Sequence, residues 1–400
     1  MDLRTESPFW LMKNGIVRSY PSIKQSYSTD IAIMGGGITG ALIAYHLTKE
    51  GIPAILLDKR KIGMGSTCAS TALLQYEIDT PLGELSRYVG TENANKSYLM
   101  CIEAIEKIQN ITKSLKKEVG FSLKKSFYFA STQKDAKEIK SEYQLRKNIG
   151  IDLDILSSQD INKLFPFSAP AGLLSKDGAQ LDAYIFTHEL MNASMEKGLK
   201  IFDKTEVVEM NQHKRGVELK TNFGQTVKAK KLIIASGYES QGYLSKKIVD
   251  FNSSFAIVSE PFEAKKLWYE NCLIWETARP YLYMRTTDDN RILVGGKDVT
   301  FYNPNKRDKI TEIKGVQLKK AFEKKFPDLD FRTDFCWGGT FAETKDGLPY
   351  IGKVAEHPNT YFALGFGGNG IVFSLLAAEI IRDSLIGKKN KGEEIFKFER

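Results

Sequence analysis

Cysteine is scarce and scattered in this chain. There are four in 400 residues, Cys68, Cys101, Cys272 and Cys336, with no C-x-x-C pair and no metal-ligand spacing. Histidine is equally rare, at four, so no metal site is expected. Long apolar runs are missing: the longest candidate, residues 370–381, contains Ser374 and Glu379 and falls short of the roughly 18 residues of a membrane helix. Residues 1–15 carry acidic side chains and no apolar core of signal-peptide length. These features read as a cytoplasmic protein with reduced thiols and no transmembrane segment. No basic stripe interleaved with aromatics occurs either. The 57 Lys+Arg against 49 Asp+Glu give a net charge of +8, spread over lysine-rich solvated segments. No nucleic-acid partner is expected from that pattern, while weak attraction to anionic substrates or surfaces stays open.

What is present is an ordinary globular composition, 42% hydrophobic and 26% charged, long enough for two or three domains at roughly 150 residues each. The chain is organised around residues 30–58. The apolar run Ile31-Ala32-Ile33-Met34 leads into Gly35, Gly37 and Gly40 with the spacing G-x-G-x-x-G. Residues 41–50 read as a helix stopped by Gly51, and residues 54–57 form a second apolar run ending on Asp58. Strand, glycine turn, helix, strand and acid within one βαβ unit make a dinucleotide site. Gly35 allows the tight turn, Gly37 clears space for a pyrophosphate, and Gly40 lets the helix pack close to the strand. The helix N-terminus directs N–H groups and partial positive charge at the phosphates. Asp58 is placed to accept hydrogen bonds from ribose hydroxyls. No second G-x-G-x-x-G occurs, and an enzyme carrying electrons from a nicotinamide nucleotide to a bound flavin usually needs two.

Residues 1–29 read as an extended lead-in packed on the body. After Asp58, Gly63, Gly65, Ser66, Thr67, Ser70 and Thr71 form a small, hydroxyl-rich segment suited to a flat or phosphorylated ligand, although ordinary loops share this composition. Periodicity predicts helix over most of 82–120, strand at 121–132 and helix at 135–148. A short strand and helix follow at 151–165, then helix at 183–197. Strand is predicted at 200–210, a hairpin at 216–229, and an apolar strand at 232–235. Strands at 251–259, 273–277, 281–285 and 291–295 read as antiparallel, followed by a helix at 310–326. Near the C-terminus a short strand, residues 361–364, meets the cluster GFGGNG and a closing helix. That cluster suits an oxyanion at a helix N-terminus, or equally a tight strand-to-helix packing site.

Three separated pieces, GGGITG with Asp58, the GSTCAST segment, and DGLPYIG followed by GFGGNGI, fit one pattern. KTEVVEM and IIASG fit the same layout. The sequence resembles the flavin-dependent amine and amino-acid oxidases of the D-amino-acid oxidase superfamily, which includes glycine oxidase and sarcosine oxidase. The resemblance covers essentially the whole chain. It implies an α/β fold, with a Rossmann-like FAD-binding domain and an interleaved substrate domain built on a mainly antiparallel sheet. The FAD-binding parts are expected at 1–86, 152–243 and 336–400, and the substrate parts at 87–151 and 244–335.

The resemblance further implies that Gly35, Gly37 and Gly40, with Ile38 and Thr39 between them, hold the FAD pyrophosphate, and Asp58 the adenosine ribose. Lys59 is expected near the adenine. Gly65, Ser66, Thr67, Ser70 and Thr71 would line the stretch from pyrophosphate to flavin ring. Val207 would hold the adenine through its backbone, and Ala235, Ser236 and Gly237 would pack nearby. Gly367, Gly368, Asn369, Gly370 and Ile371 would lie under the ring, where a helix dipole stabilises negative charge on reduced flavin.

The departures from the family are informative. Sarcosine oxidase attaches its flavin through a cysteine where this chain has Gly339; Cys336 is nearby but off register, so the FAD is expected to be non-covalent. Glycine oxidase binds the substrate carboxylate with arginines at positions occupied here by Phe341 and Gly368. A lysine of sarcosine oxidase is replaced by Val372. With those clamps missing, an ordinary α-amino acid is a doubtful substrate. Arg279, Tyr281, Tyr283, Arg285 and Lys297 are the candidates to replace them, on strands expected to face the flavin. Tyr281, Tyr283 and Arg285 alternate and so share a face, while Lys297 matches an active-site histidine of sarcosine oxidase. Charged residues at strand ends are more often solvated or ion-paired. His188 reads as a packed structural histidine and Trp337 as a cavity wall.

The expected function is oxidation of a C–N bond in a small-molecule amine by hydride transfer to flavin N5, with O2 or another electron acceptor. The alternatives are a flavin dehydrogenase serving a quinone or carrier protein, and a non-catalytic FAD- or metabolite-binding partner. The oligomeric state is not legible.

Overall fold

The computed structural model describes every residue except Lys265. Two sheets divide the chain between them. In the first, the strands run Tyr350–Lys353, Thr360–Leu364, Thr226–Ile234, Tyr27–Met34, Ala54–Leu57 and Lys200–Phe202. Its inner pairs are parallel, with Ala32 opposite Leu232 on one side and Ile55 on the other. Ala54–Leu57 is fully buried, as the uninterrupted apolar runs of a covered parallel sheet require. A hairpin, Val207–His213 and Gly216–Thr221, extends the sheet beside Thr226–Ile234.

The glycine turn feeds the helix Ile38–Lys49, which packs against the helices Gly370–Leu385 and Ala183–Met195. Leu42, Ile43 and Leu47 are fully buried there, each contributing roughly 1.5–3 kcal/mol. A Cβ on Gly40 would lie 1.9 Å from the Gly35 carbonyl oxygen, which is why the helix needs glycine at that position.

The second sheet has the order Thr333–Glu343, Asp250–Ser259, Ile292–Val299, Leu282–Thr286, Leu273–Glu276, Ser122–Phe129, Ala171–Gln180 and Leu73–Leu74. Leu153–Ser157 pairs with Ala171–Gln180 at one side. Every pairing is antiparallel except Leu273–Glu276 with Ser122–Phe129. The outer face is sealed by the helix Pro304–Lys325 and an aromatic cluster in which Phe127 and Phe165 stack at 4.5 Å. The inner face turns toward the carboxyl ends of the first sheet's parallel strands, where ligands bind in open α/β folds.

The expected α/β class and mainly antiparallel second sheet are present, but the sheet boundaries differ from the expected divisions. Residues 153–157 and 171–180 pair in the second sheet, although 152–243 is expected in the FAD-binding part. Thr333–Glu343 is an eleven-residue strand of the same sheet, crossing the expected boundary at 335/336. Ala171–Gln180 escapes periodicity because nearly all of it is buried on both faces. The helical stretch after residue 82 breaks at Gly90, with φ +82°, into Leu82–Val89 and Thr91–Ser114. Residues 200–210 form two strands rather than one. Among the described residues no helix is long and apolar enough to cross a membrane.

Candidate active site

A cavity of 780 Å³ lies between the sheets, open at the carboxyl ends of Tyr27–Met34, Ala54–Leu57, Thr226–Ile234 and Thr360–Leu364. At one end stands the glycine turn. Gly35 has φ +114°, and a Cβ there would fall 2.3 Å from the Ala235 oxygen. A Cβ on Gly37 would reach within 3.0 Å of Thr67 Oγ1, a hydroxyl that accepts the Ile38 N–H at 3.0 Å. The GSTCAST segment is thereby tied to the start of the helix. Asp58 accepts the N–H groups of Gly36 at 2.6 Å and Arg60 at 2.7 Å, while burial pushes its carboxyl up.

Lys59 and Arg60 both pair with Glu239, at 2.9 and 2.7 Å. Burial acts to raise Glu239, but hydrogen bonds from Arg60, the amino terminus and Lys59 prevail and hold it at about 2. Sequence reasoning missed Glu239 and Arg60; no motif marks them.

The other end is aromatic and acidic. Trp275, Tyr281 and Tyr283 line it, with ring centroids 6.5 Å apart for Trp275–Tyr281 and 5.7 Å for Tyr281–Tyr283. Glu77, Asp79 and Asp298 supply carboxylates, and Phe341 and Trp337 complete the walls. Asp79 accepts the Gly368 N–H at 2.7 Å and the Tyr281 hydroxyl at 3.3 Å. The Asn369 side-chain amide donates to the carbonyls of Gln75 and Glu77, at 3.1 and 2.9 Å. The glycine turn Gly367–Asn369, at the start of Gly370–Leu385, is thus fastened to residues 75–79.

Of the expected cofactor residues, Gly35, Gly37, Ile38, Thr39, Asp58 and Lys59 line the cavity. So do Gly65, Ser66, Thr67, Ser70 and Thr71, and Val207, Ala235, Ser236 and Gly237. Gly339 and the run Gly367, Gly368, Asn369, Gly370 and Ile371 line it as well. Gly40 lies behind, at the helix–strand contact.

The expected catalytic set separates. Tyr283 lines the cavity, but Arg279, Arg285 and Lys297 do not. Arg279 is exposed, donates to the Asp79 carbonyl at 2.9 Å and lies 4.9 Å over the Tyr281 ring. Arg285 is 1% exposed and donates to the carbonyls of Ala72 and Leu181, 5.1 Å over the Trp10 ring. Burial lowers its guanidinium to about 10. The N-terminal helix Phe9–Asn14 carries the Trp10 ring that packs against this guanidinium, and none of its residues lines the cavity.

Lys297 is displaced by a β-bulge. Ser253 pairs with Val299 but Phe255 with Gly296, so the strand Ile292–Val299 holds one extra residue there. Gly296 and Lys297 have φ of +131° and +58°. Alternation from Gly295 would put Lys297 on the cavity side; the extra residue puts Asp298 there instead. Burial raises the Asp298 carboxyl to about 6; a hydrogen bond from Ser254 works against this and the Asp79 charge adds to it.

Several polar side-chain atoms in the cavity wall are buried without a partner: Ser66 Oγ, Ser236 Oγ, Gln75 Nε2, Glu77 Oε2 and Asp298 Oδ1. Unpaired buried polar atoms are costly, and bound ligands often satisfy them. The glycine cradle, the helix N-terminus, the two serine hydroxyls and Asp58 fit FAD.

Sheet order, glycine turn and cavity define an α/β protein with a dinucleotide-binding cradle. The chain belongs to the FAD dependent oxidoreductase family, whose model matches residues 30–384. It is 26% identical over 383 residues to glycine oxidase of Bacillus licheniformis, covering 93% of this chain and 97% of that one. It is 23% identical over 377 residues to gamma-glutamylputrescine oxidoreductase of Escherichia coli, covering 92% and 86%. The crystal structure of glycine oxidase from Geobacillus kaustophilus superposes with a TM-score of 0.77 at 20% identity, covering 94% and 100% of the two chains.

Proposed function

We propose that this FAD-dependent oxidoreductase binds its flavin non-covalently and oxidises the C–N bond of a small amine. The observation that carries the reading is one cavity joining a phosphate cradle at Gly35 and Gly37 to an acidic aromatic chamber at Trp275, Tyr281, Tyr283 and Asp298. The names of glycine oxidase and gamma-glutamylputrescine oxidoreductase support amine or amino-acid chemistry. When bound, FAD supplies the two-electron oxidant that accepts a hydride from the carbon beside nitrogen.

The chain's own residues do the rest. Gly35, Gly37, Ile38 and Thr39 hold the pyrophosphate, and Asp58 the ribose. The turn at Gly367–Asn369 brings the start of Gly370–Leu385, with its positive dipole end, to the chamber. Tyr281, Tyr283 and Trp275 wall off water and orient the substrate. An amine must lose its ammonium proton before it can release a hydride, and Asp298 is the cavity carboxylate whose pKa of about 6 suits it to accept that proton near neutrality.

Non-covalent attachment is supported because no cysteine or histidine is among the described residues lining the cavity. Cys336 lies on the far side of its strand, its thiol donating to the Thr311 carbonyl at 3.4 Å, and burial pushes it up to about 12. The four unpaired cysteines agree with a cytoplasmic location.

The test is anaerobic mixing of the yellow protein with amines, N-methyl amino acids and hydroxy acids. Bleaching by an amine is the expected result, and readmitted air then separates O2 from another acceptor. Flavin that stays with acid-precipitated protein overturns the non-covalent assignment. Bleaching by hydroxy acids alone overturns the C–N assignment.

A further inference from the structure

We propose that the substrate is a cationic amine without a carboxylate, a diamine or longer polyamine, held electrostatically by Asp298 and Glu77. The inference rests on the amine oxidation proposed above and deepens it by naming the substrate class.

The charge inventory of the cavity wall is one-sided. Its only cationic side chains among the described residues are Lys59 and Arg60, both at the nucleotide end and both paired with Glu239. The chamber holds Glu77, Asp79 and Asp298 and, among the described residues, no cation. Arg279 stands outside, committed to the Asp79 carbonyl and the Tyr281 ring. A substrate carboxylate would meet three acids and no cationic side chain, only neutral donors such as Gln75 Nε2 and Trp275 Nε1.

The acids are not spent on one another or on the protein alone. Asp79 is occupied by the Gly368 N–H and the Tyr281 hydroxyl. Glu77 is 3% exposed and accepts the Ser126 hydroxyl at 3.0 Å on Oε1, while Oε2 has no hydrogen-bond partner; the Arg146 guanidinium, already paired with Glu142, acts on it from outside the cavity. Asp298 likewise has a buried Oδ1 without a partner. A buried carboxylate oxygen with no donor needs one from a ligand. Two such oxygens, at separate residues of one chamber, match a ligand with two ammonium groups. The rings of Trp275, Tyr281 and Tyr283 offer negative faces to the same cations and an apolar wall to the methylenes between them. Among the described residues no group of three or more His, Cys, Asp or Glu side chains is arranged to hold a metal ion.

The main charged and titratable groups facing Asp298 come from several elements. Asp79 and the rim residue Glu343 oppose its ionisation, Lys314 and Arg279 favour it, and Tyr281 and Tyr283 pack beside it with Ser254. In proton terms the reacting ammonium passes H+ to the Asp298 carboxylate, leaving a neutral amine and a carboxylic acid. Bound FAD would supply the two-electron oxidant for the hydride on the adjacent carbon.

The experiment is calorimetric titration of FAD-loaded protein with 1,4-diaminobutane, butylamine and 4-aminobutanoate at pH 8, with flavin content read from the visible spectrum. The diamine should bind at least tenfold tighter than 4-aminobutanoate, and Asp298→Asn should cost it at least tenfold at unchanged flavin content. Should that variant not fold, the wild-type protein carries the test, because all three amines stay protonated from pH 8 to pH 5. Diamine affinity should fall at least tenfold across that range. Equal or tighter binding of 4-aminobutanoate, or diamine affinity indifferent to both Asp298→Asn and pH, overturns the proposal. A diamine that binds through Asp298 yet never bleaches the flavin would defeat the oxidation reading and leave the cation site standing. Bleaching by glycine with no diamine binding would do the reverse.

Discussion

Tyr283 lies across Gly295. The two are paired in adjacent antiparallel strands, and a Cβ on Gly295 would fall 2.3 Å from both the tyrosine Cζ and its hydroxyl oxygen. The ring therefore occupies the space a side chain would take, forming part of the chamber wall. Gly295→Ala should push the ring into the cavity, at a stability cost of about 1–3 kcal/mol for the overpacking. The expected signature is a several-fold rise in KM for the bleaching amine with flavin content unchanged. Steady-state kinetics beside the visible spectrum checks it.

Gly40→Ala should act at the other end and on the cofactor. The new Cβ would meet the backbone oxygen of Gly35 at 1.9 Å, and backbone cannot step aside as a side-chain tip can. Either the helix Ile38–Lys49 lifts from the strand or the glycine turn distorts. The purified variant should carry far less flavin than wild type, measured as the ratio of visible to ultraviolet absorbance. Gly51→Ala meets no atom within 4 Å, but Gly51 has φ +71°, so that variant should lose only about 1 kcal/mol and keep its flavin.

The glycine turn and its helix were legible because they are local: spacing, an apolar run and an acid sit within thirty residues. Tyr283 was legible by alternation within one strand. Arg285 shares that alternation but not the cavity, since a segment distant in sequence, with Trp10, fills the space beneath it. Lys297 failed for a different reason. One extra residue in Ile292–Val299 inverts which side chains face inward, and the only trace in the sequence is the pair Gly295-Gly296 before it. The correction changes the sign of the charge offered to the substrate. Ala171–Gln180 was illegible because a strand buried on both faces has no period of two to detect.

Arg285 should prove to be a structural residue. Its guanidinium ties the carbonyls of Ala72 and Leu181 together. Arg285→Met should lower stability by roughly 2–4 kcal/mol, since two buried carbonyls lose charged donors. The kcat/KM of the flavin-loaded fraction should change less than threefold. A large fall in kcat/KM without a change in melting temperature would place the guanidinium in the substrate's path instead.

Arg146 anchors a second buried network. It is 1% exposed, pairs with Glu142 at 3.0 Å, and lies 5.3 and 5.7 Å over the rings of Tyr98 and Tyr76. Glu142 in turn accepts the N–H groups of Leu82 and Gly83, capping the helix Leu82–Val89. Arg146→Met would leave that carboxylate buried without its cation and should cost about 3–5 kcal/mol. Urea unfolding followed by circular dichroism reads it directly.

Asp298 should carry a stability cost that its function explains. Its carboxyl sits at about 6 in the folded protein against 3.8 as the ordinary value, so the folded state binds the proton more tightly than the unfolded chain. That contribution is complete below pH 3.8 and is lost as pH rises through about 6. By pH 8 the native protein bears the whole burden of a buried, partly unpaired charge, worth up to about 3 kcal/mol. Asp298→Asn removes the charge and should melt higher than wild type at pH 8, with the gap closing by pH 4. The same variant is expected to lose its hold on the cationic amine. A variant that is more stable but binds worse is the signature of a group kept for its ligand rather than for the fold. If Asp298→Asn instead left the protein less stable than wild type at pH 8, the carboxylate would be satisfied from within the protein, and the chamber would need no cation to complete it.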